Sequence, residues 1–160
     1  MDSGNPAWCP SSRPTLGEAV AFGVVHTTEN GSMTSYLEHA IPAEQVSVEF
    51  DRLHAHESVA ITEVIRFASP CASAKCRHFH AGGCSLVERV IENLDAVVDK
   101  LPSCRIRGRC LWWHQEGKSA CFRCPQIRTD SRSASEVVQR TANVPRVRSE
   151  FVGREPCPNK

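Results

Sequence analysis

Apolar and polar residues alternate along much of the stretch up to residue 70. Val20, Phe22 and Val24 share one face of a segment running from Glu18 to Thr27. A period of two is that of a half-buried strand. Glu29-Asn30-Gly31-Ser32 follows, and Asn-Gly tolerates the positive φ that a hairpin turn demands. Met33 to Ala40 then reads as the returning strand, with Met33, Ser35 and Leu37 opposite Thr34, Tyr36 and Glu38. Gln45 to Phe50 alternates through Val46, Val48 and Phe50, and Ser58 to Phe67 carries Val59, Ile61 and Ile65. These segments predict a small antiparallel sheet of about four strands over residues 17–70.

The pattern then changes period. Leu86, Val87, Val90, Ile91, Leu94, Val97, Val98 and Leu101 recur at helical spacing up to Pro102, the signature of an amphipathic helix. Ser85-Leu86-Val87-Glu88 has the form of a capping box at its start. A helix of about sixteen residues spans about 24 Å, and its wide apolar stripe predicts that it covers the sheet. The expected class is therefore α+β: a small antiparallel sheet packed by one long helix. A Cys-rich region (71–129) and a flexible tail (130–160) follow. Residues 1–16, with Pro6, Pro10 and Pro14 and no periodicity, read as a flexible leader. In the tail, Ser133-Ala134-Ser135-Glu136 predicts the cap of a short helix through Thr141, and Pro145, Pro156 and Pro158 lie beyond it.

Composition sharpens this division. The 160 residues carry a net charge of +1, which conceals an asymmetry. Residues 1–70 hold nine acids and three bases, and residues 71–160 hold sixteen bases and nine acids. No run of about eighteen apolar residues is present, so no membrane helix is expected. The first residues lack the basic and apolar segments of a secretion signal, so a cytoplasmic location is expected. In that compartment clustered cysteines hold metal more often than they form disulfides.

Nine cysteines are the outlying number. Seven fall between residues 71 and 124: Cys71, Cys76 and Cys84 before the predicted helix, then Cys104, Cys110, Cys121 and Cys124-Pro125 after it. Thiolates suit soft and borderline metals, and four at about 2.3 Å close a tetrahedral shell. The spacing allows two arrangements. In one, the four later cysteines form one site, and the three earlier ones form another with His78 or His80. In the other, cysteines from both ends of the helix converge on one cluster. His78 and His80 are expected beside the site rather than on the metal, and Trp112-Trp113 as its shield. Cys9 and Cys157 are expected to be spectators.

Two further segments accompany the cysteines. They are Leu16-Gly17-Glu18-Ala19-Val20-Ala21-Phe22-Gly23-Val24-Val25 and Cys76-x-His78-Phe79-x-x-Gly82-Gly83-Cys84. With Cys104-Arg105-Ile106-Arg107-x-x-Cys110-x-Trp112-x-x-Gln115-Glu116-Gly117-x-x-Ala120-Cys121-x-x-Cys124-Pro125, they make residues 16–129 resemble a family of small, largely uncharacterised bacterial Cys-rich proteins. That family is sometimes labelled for iron–sulfur binding or nitrogen fixation, so the resemblance implies an iron–sulfur cluster.

The leading expectation is an iron–sulfur protein, most simply one with a [4Fe–4S] cluster, in electron transfer, sensing or a biosynthetic accessory role. The alternative is a structural zinc module that meets a protein partner or, through its basic half, nucleic acid. A catalytic role would draw on His114 and Glu116. No P-loop, nucleophile elbow or dinucleotide fingerprint is present, and the expectation leans against an enzyme.

Overall fold

A computed structural model of the chain describes residues 7–15, 17–132 and 134–142. Cys157 and the prolines at 145, 156 and 158 lie outside them, as do Pro6, Leu16 and Ser133. The described elements run in the order β1 (Trp8–Ser12), β2 (Val20–Thr28), β3 (Gly31–Pro42), α1 (Ala43–Leu53), the single turn α2 (Ile61–Val64), and β4 (Ile65–Pro70). The short hairpin β5 (Phe79–His80) and β6 (Gly83–Cys84) follows, then α3 (Ser85–Asn93), α4 (Leu111–Glu116), α5 (Lys118–Arg123) and α6 (Glu136–Ala142). The fold is α+β. Its four-stranded sheet is antiparallel, in the order β1-β4-β2-β3.

The hairpin predicted at Asn30-Gly31 is present. Glu29 and Asn30 form the turn, and Gly31 takes a φ of 120° at the start of β3. Two other strands differ from expectation. Gln45–Phe50 is helical, because Ala43, Val46 and Phe50 also match the i, i+3, i+7 spacing; Ala43 is buried and Val48 is 62% exposed. Ser58–Phe67 contributes to the sheet only from Ile65. The missing strand comes from the expected leader. Trp8–Ser12 pairs with β4, with Trp8 opposite Pro70 and Cys9 opposite Ser69. Pro10 is tolerated because β1 is an edge strand.

The helix is shorter than its pattern. α3 ends at Asn93, and Leu94 is extended with φ −116° and ψ 140°. Tertiary partners claim the backbone beyond it. Arg123 Nε donates to Leu94 O, the Val97 N–H donates to Phe122 O at 2.9 Å, and Gln126 Nε2 donates to Asp95 O. Nor is there a capping box. Cys84 is the N-cap, and Ser85 Oγ donates to His78 O at 2.8 Å. The apolar stripe faces the later helices rather than the sheet: Val87, Val90 and Leu94 pack with Cys110, Trp112 and Ala120. The expected tail helix is present as α6, which lies on α3 with Thr141 buried.

Gly23 governs the centre of the sheet. It stands opposite Tyr36 on β3 and Arg66 on β4. A Cβ there would lie 2.5 Å from Thr34 Cγ2 and 3.3 Å from Ser35 O, closer than packed atoms come. Gly23→Ala is expected to lower stability by about 1–3 kcal/mol, read by denaturant unfolding. Gly108→Ala, where nothing lies within 4 Å of the added carbon, is expected to cost under about 1 kcal/mol.

Candidate metal centre

Four cysteines line one small cavity. Cys104 and Cys110 flank the turn Arg107–Arg109, Cys121 lies on α5, and Cys124 closes that helix. The cavity is about 20 Å³, and Pro10, Phe22, Tyr36, Trp112 and Trp113 complete most of its wall. Trp112 is 1% exposed, so the pair does shield the thiols. Trp113 lies under the Arg107 guanidinium, 5.5 Å from ring centre to Cζ, which covers one face of its ring.

The thiols are aimed by backbone. Cys110 is the N-cap of α4, and its sulfur receives the N–H groups of Trp113 and Trp112. The Ile106 N–H points to Cys104, and Arg107 donates to Cys121. Burial nevertheless dominates, with each thiol further opposed by the charge of Cys124. It pushes Cys104 up to about 11 and Cys110 up to about 12, and it raises Cys121. At neutral pH these are protonated thiols.

Arg66 is the residue that sequence reasoning missed. It is 0% exposed. Nη1 donates to Cys124 O and Ile127 O, both at 2.9 Å, and Nη2 donates to Pro10 O at 2.8 Å. Nη2 also lies 3.6 Å from Cys124 Sγ. Among the described residues no carboxylate pairs with it. Burial works against its charge, but Cys124 and then Tyr36 outweigh that and hold the guanidinium above its ordinary range. Tyr36 hydrogen-bonds Cys124 as well, and burial first, then Cys124, raises its phenol. The only sequence signal was a lone arginine within an apolar run, Ile65-Arg66-Phe67.

Cys71, Cys76 and Cys84 gather elsewhere, and Cys9 joins them. Cys9 feels the charges of Cys84, Cys71 and Cys76, though burial is the larger cause of its raised thiol pKa. The expectation that Cys9 is a spectator in a flexible leader fails on position, because it sits inside β1. Here too amides face sulfur: Ser11 to Cys9, Ser73 to Cys71 at 3.4 Å, and Val87 and Leu86 to Cys84. Burial raises Cys84. The eight cysteines among the described residues thus form two groups of four. Among the described residues, no three His, Cys, Asp or Glu side chains already stand in the geometry of a single-ion site.

The histidines are occupied as neighbours. Arg89 Nη2 donates to His78 Nδ1 at 2.9 Å, and His114 Nε2 lies 2.9 Å from Gly108 O. Gln115, between His114 and Glu116, clamps Cys84 instead. Its Oε1 accepts the Cys84 N–H at 2.8 Å, and its Nε2 donates to Cys84 O at 3.2 Å. Among the described residues no helix is long and apolar enough to cross a membrane. No family model matches the chain, and no curated protein or solved structure matches it.

Arg66→Met leaves three carbonyls without their donor and is expected to cost about 3–5 kcal/mol; Arg52→Met, on an exposed Glu49 pair, should cost under about 1 kcal/mol. Chemical denaturation of both variants checks this. A second expectation concerns pH. Burial, then Arg89 and Arg77, holds His78 down at about 4 against an ordinary 6.5. Between those values the unfolded chain binds the extra proton, so stability is lost as pH falls from about 6.5 toward 4. The bound is roughly 3 kcal/mol, and a His78→Gln chain should show a flatter dependence over that range.

Proposed function

We propose that the chain is a metal–thiolate protein whose principal centre is held by Cys104, Cys110, Cys121 and Cys124, with an iron–sulfur cluster as the bound group. The observation that carries this reading is the fully buried Arg66, 3.6 Å from the sulfur of Cys124, one of the four thiols of the cavity, with no carboxylate paired to it among the described residues. A guanidinium in that position needs an anion. A [4Fe–4S] core in its oxidised state with four thiolates has a formal charge of −2, and Arg66 together with Arg107 supplies the balance. Binding would release protons from Cys104, Cys110 and Cys121, so affinity would rise with pH.

The surroundings suit such a centre. Amides and guanidinium groups directed at the sulfurs, and a wall of aromatic rings, are what tune a cluster's potential. A single-ion shell of radius 2.3 Å sets sulfurs about 3.8 Å apart, whereas a cluster takes one thiolate per iron on a wider frame. Electron transfer, sensing or an accessory step in a biosynthesis would each use that chemistry. The second reading is a structural zinc site, favoured by the cavity size: about 20 Å³ is the room of one ion rather than of a cluster, and the thiols would close on it. Zinc would serve folding and present a surface to a partner.

Anaerobic purification followed by iron, zinc and acid-labile sulfide analysis tests both. Iron and sulfide in equal amounts, with a broad visible band lost in Cys110→Ser, is the expected result. Zinc without colour would move the protein to the structural reading, and a purified chain that takes up neither metal would overturn both.

A further inference from the structure

The second group of cysteines is built from two pairs: the sheet brings Cys9 to Cys71, and a short hairpin holds Cys76 beside Cys84. Cys9 lies opposite Ser69 in the β1–β4 ladder. The ladder runs on past the named strands, with the Cys71 N–H donating to Ala7 O at 2.8 Å. Cys71 is therefore two positions along from the partner of Cys9, and the period of two puts both on the same face. Phe79 pairs with Cys84, and the Phe79 N–H donates to Cys76 O at 3.0 Å. That small knuckle holds Cys76 beside Cys84. Cys76 and Cys84 are buried, and Cys9 and Cys71 are partly so.

Strand alternation also separates the two groups. Trp8, next to Cys9, belongs to the apolar cluster against which Tyr36 and Cys104 pack, so alternation turns Cys9 to the opposite face of β1. Trp112 lines the first cavity. Its backbone N–H serves Cys110, and its indole N–H, without a nitrogen or oxygen acceptor at 1% exposure, is turned to the Cys84 sulfur. A buried donor without such an acceptor is costly unless its site holds an anion. Arg89 supplies nearby positive charge, within electrostatic reach of Cys84.

We infer that Cys9, Cys71, Cys76 and Cys84 form a second four-thiolate metal centre, separated from the first by β1 and Trp112. Its fourth ligand is Cys9 rather than His78 or His80. His78 Nδ1 already accepts from Arg89, so the imidazole supports the site from outside it. The thiol protons leave as the metal binds, and no electron transfer is needed for assembly with a divalent ion. The inference uses none of the residues that hold the first centre and can fail separately from it.

Cobalt(II) is the probe, titrated anaerobically into the metal-free full chain while the thiolate-to-cobalt absorption is followed. The wild type should take two equivalents, Cys9→Ser one, Cys104→Ser one, and the double variant none. Two equivalents with undiminished absorption in Cys9→Ser would overturn the inference while leaving the first centre intact. Loss only in Cys104→Ser would do the same. Should Cys9→Ser fold poorly, the Cys104→Ser chain, which keeps Cys9, gives the answer. Its single cobalt should absorb with the intensity of four thiolates, and a three-thiolate, one-nitrogen spectrum would overturn the inference.

Discussion

A guanidinium taken wholly out of water is the constraint on which the rest of this structure turns. Arg66 enters the interior from the central part of the sheet, and its donors are spent on the carbonyls of Pro10, Cys124 and Ile127. Those bonds tie β1, β4 and the end of α5 to one side chain. They also explain why Gly23 has no side chain: β2 must approach β3 closely at the level where Arg66 and Tyr36 reach toward Cys124. Carbonyl oxygens satisfy the donors but do not neutralise the charge. The anion has to come from the thiols, and burial keeps Cys104, Cys110 and Cys121 protonated until something replaces their protons. A metal does both.

The same logic organises the loops. Cys84 and Cys110 each sit at the N-cap of a helix, where unpaired backbone N–H groups converge. Ser11, Ser73 and Ile106 each offer an amide to a sulfur two residues before it. Gln115 and Trp112 then couple the two cysteine groups. One grips the backbone of Cys84 from α4, and the other lines the first cavity while its indole N–H turns to the Cys84 sulfur. The short helices α4 and α5 have too few residues to be stable alone. They are held by the packing of Val87, Val90, Trp112 and Ala120 and by the polar contacts around the thiols.

Local signals in the chain were readable where local physics decides them. Asn30-Gly31 specified its hairpin, and Ser135 begins α6 as its position suggested, with its Oγ accepting the Val138 N–H. The division of the later cysteines from the earlier ones was one of two arrangements that their spacing left open. Where tertiary partners decide, the pattern misled. Residues 94–101 have helical spacing, but Arg123, Phe122 and Gln126 take their backbone groups. Val46, Val48 and Phe50 alternate as a strand would, yet the helical register buries Ala43. Trp8–Ser12 showed no period because a bulge between Cys9 and Ser12 breaks it. Cys9 and Arg66 were illegible as site residues for one reason: only tertiary contacts across more than fifty residues bring either of them to a cysteine group.

X-ray absorption at the metal edge of the anaerobically purified full chain tests the central claim most directly. The account predicts a first shell made only of sulfur, at about 2.3 Å, unchanged when His78 and His80 are replaced by Gln. Nitrogen or oxygen in that shell at about 2.0–2.1 Å would mean that the cysteines do not supply the anion Arg66 requires, and would contradict it.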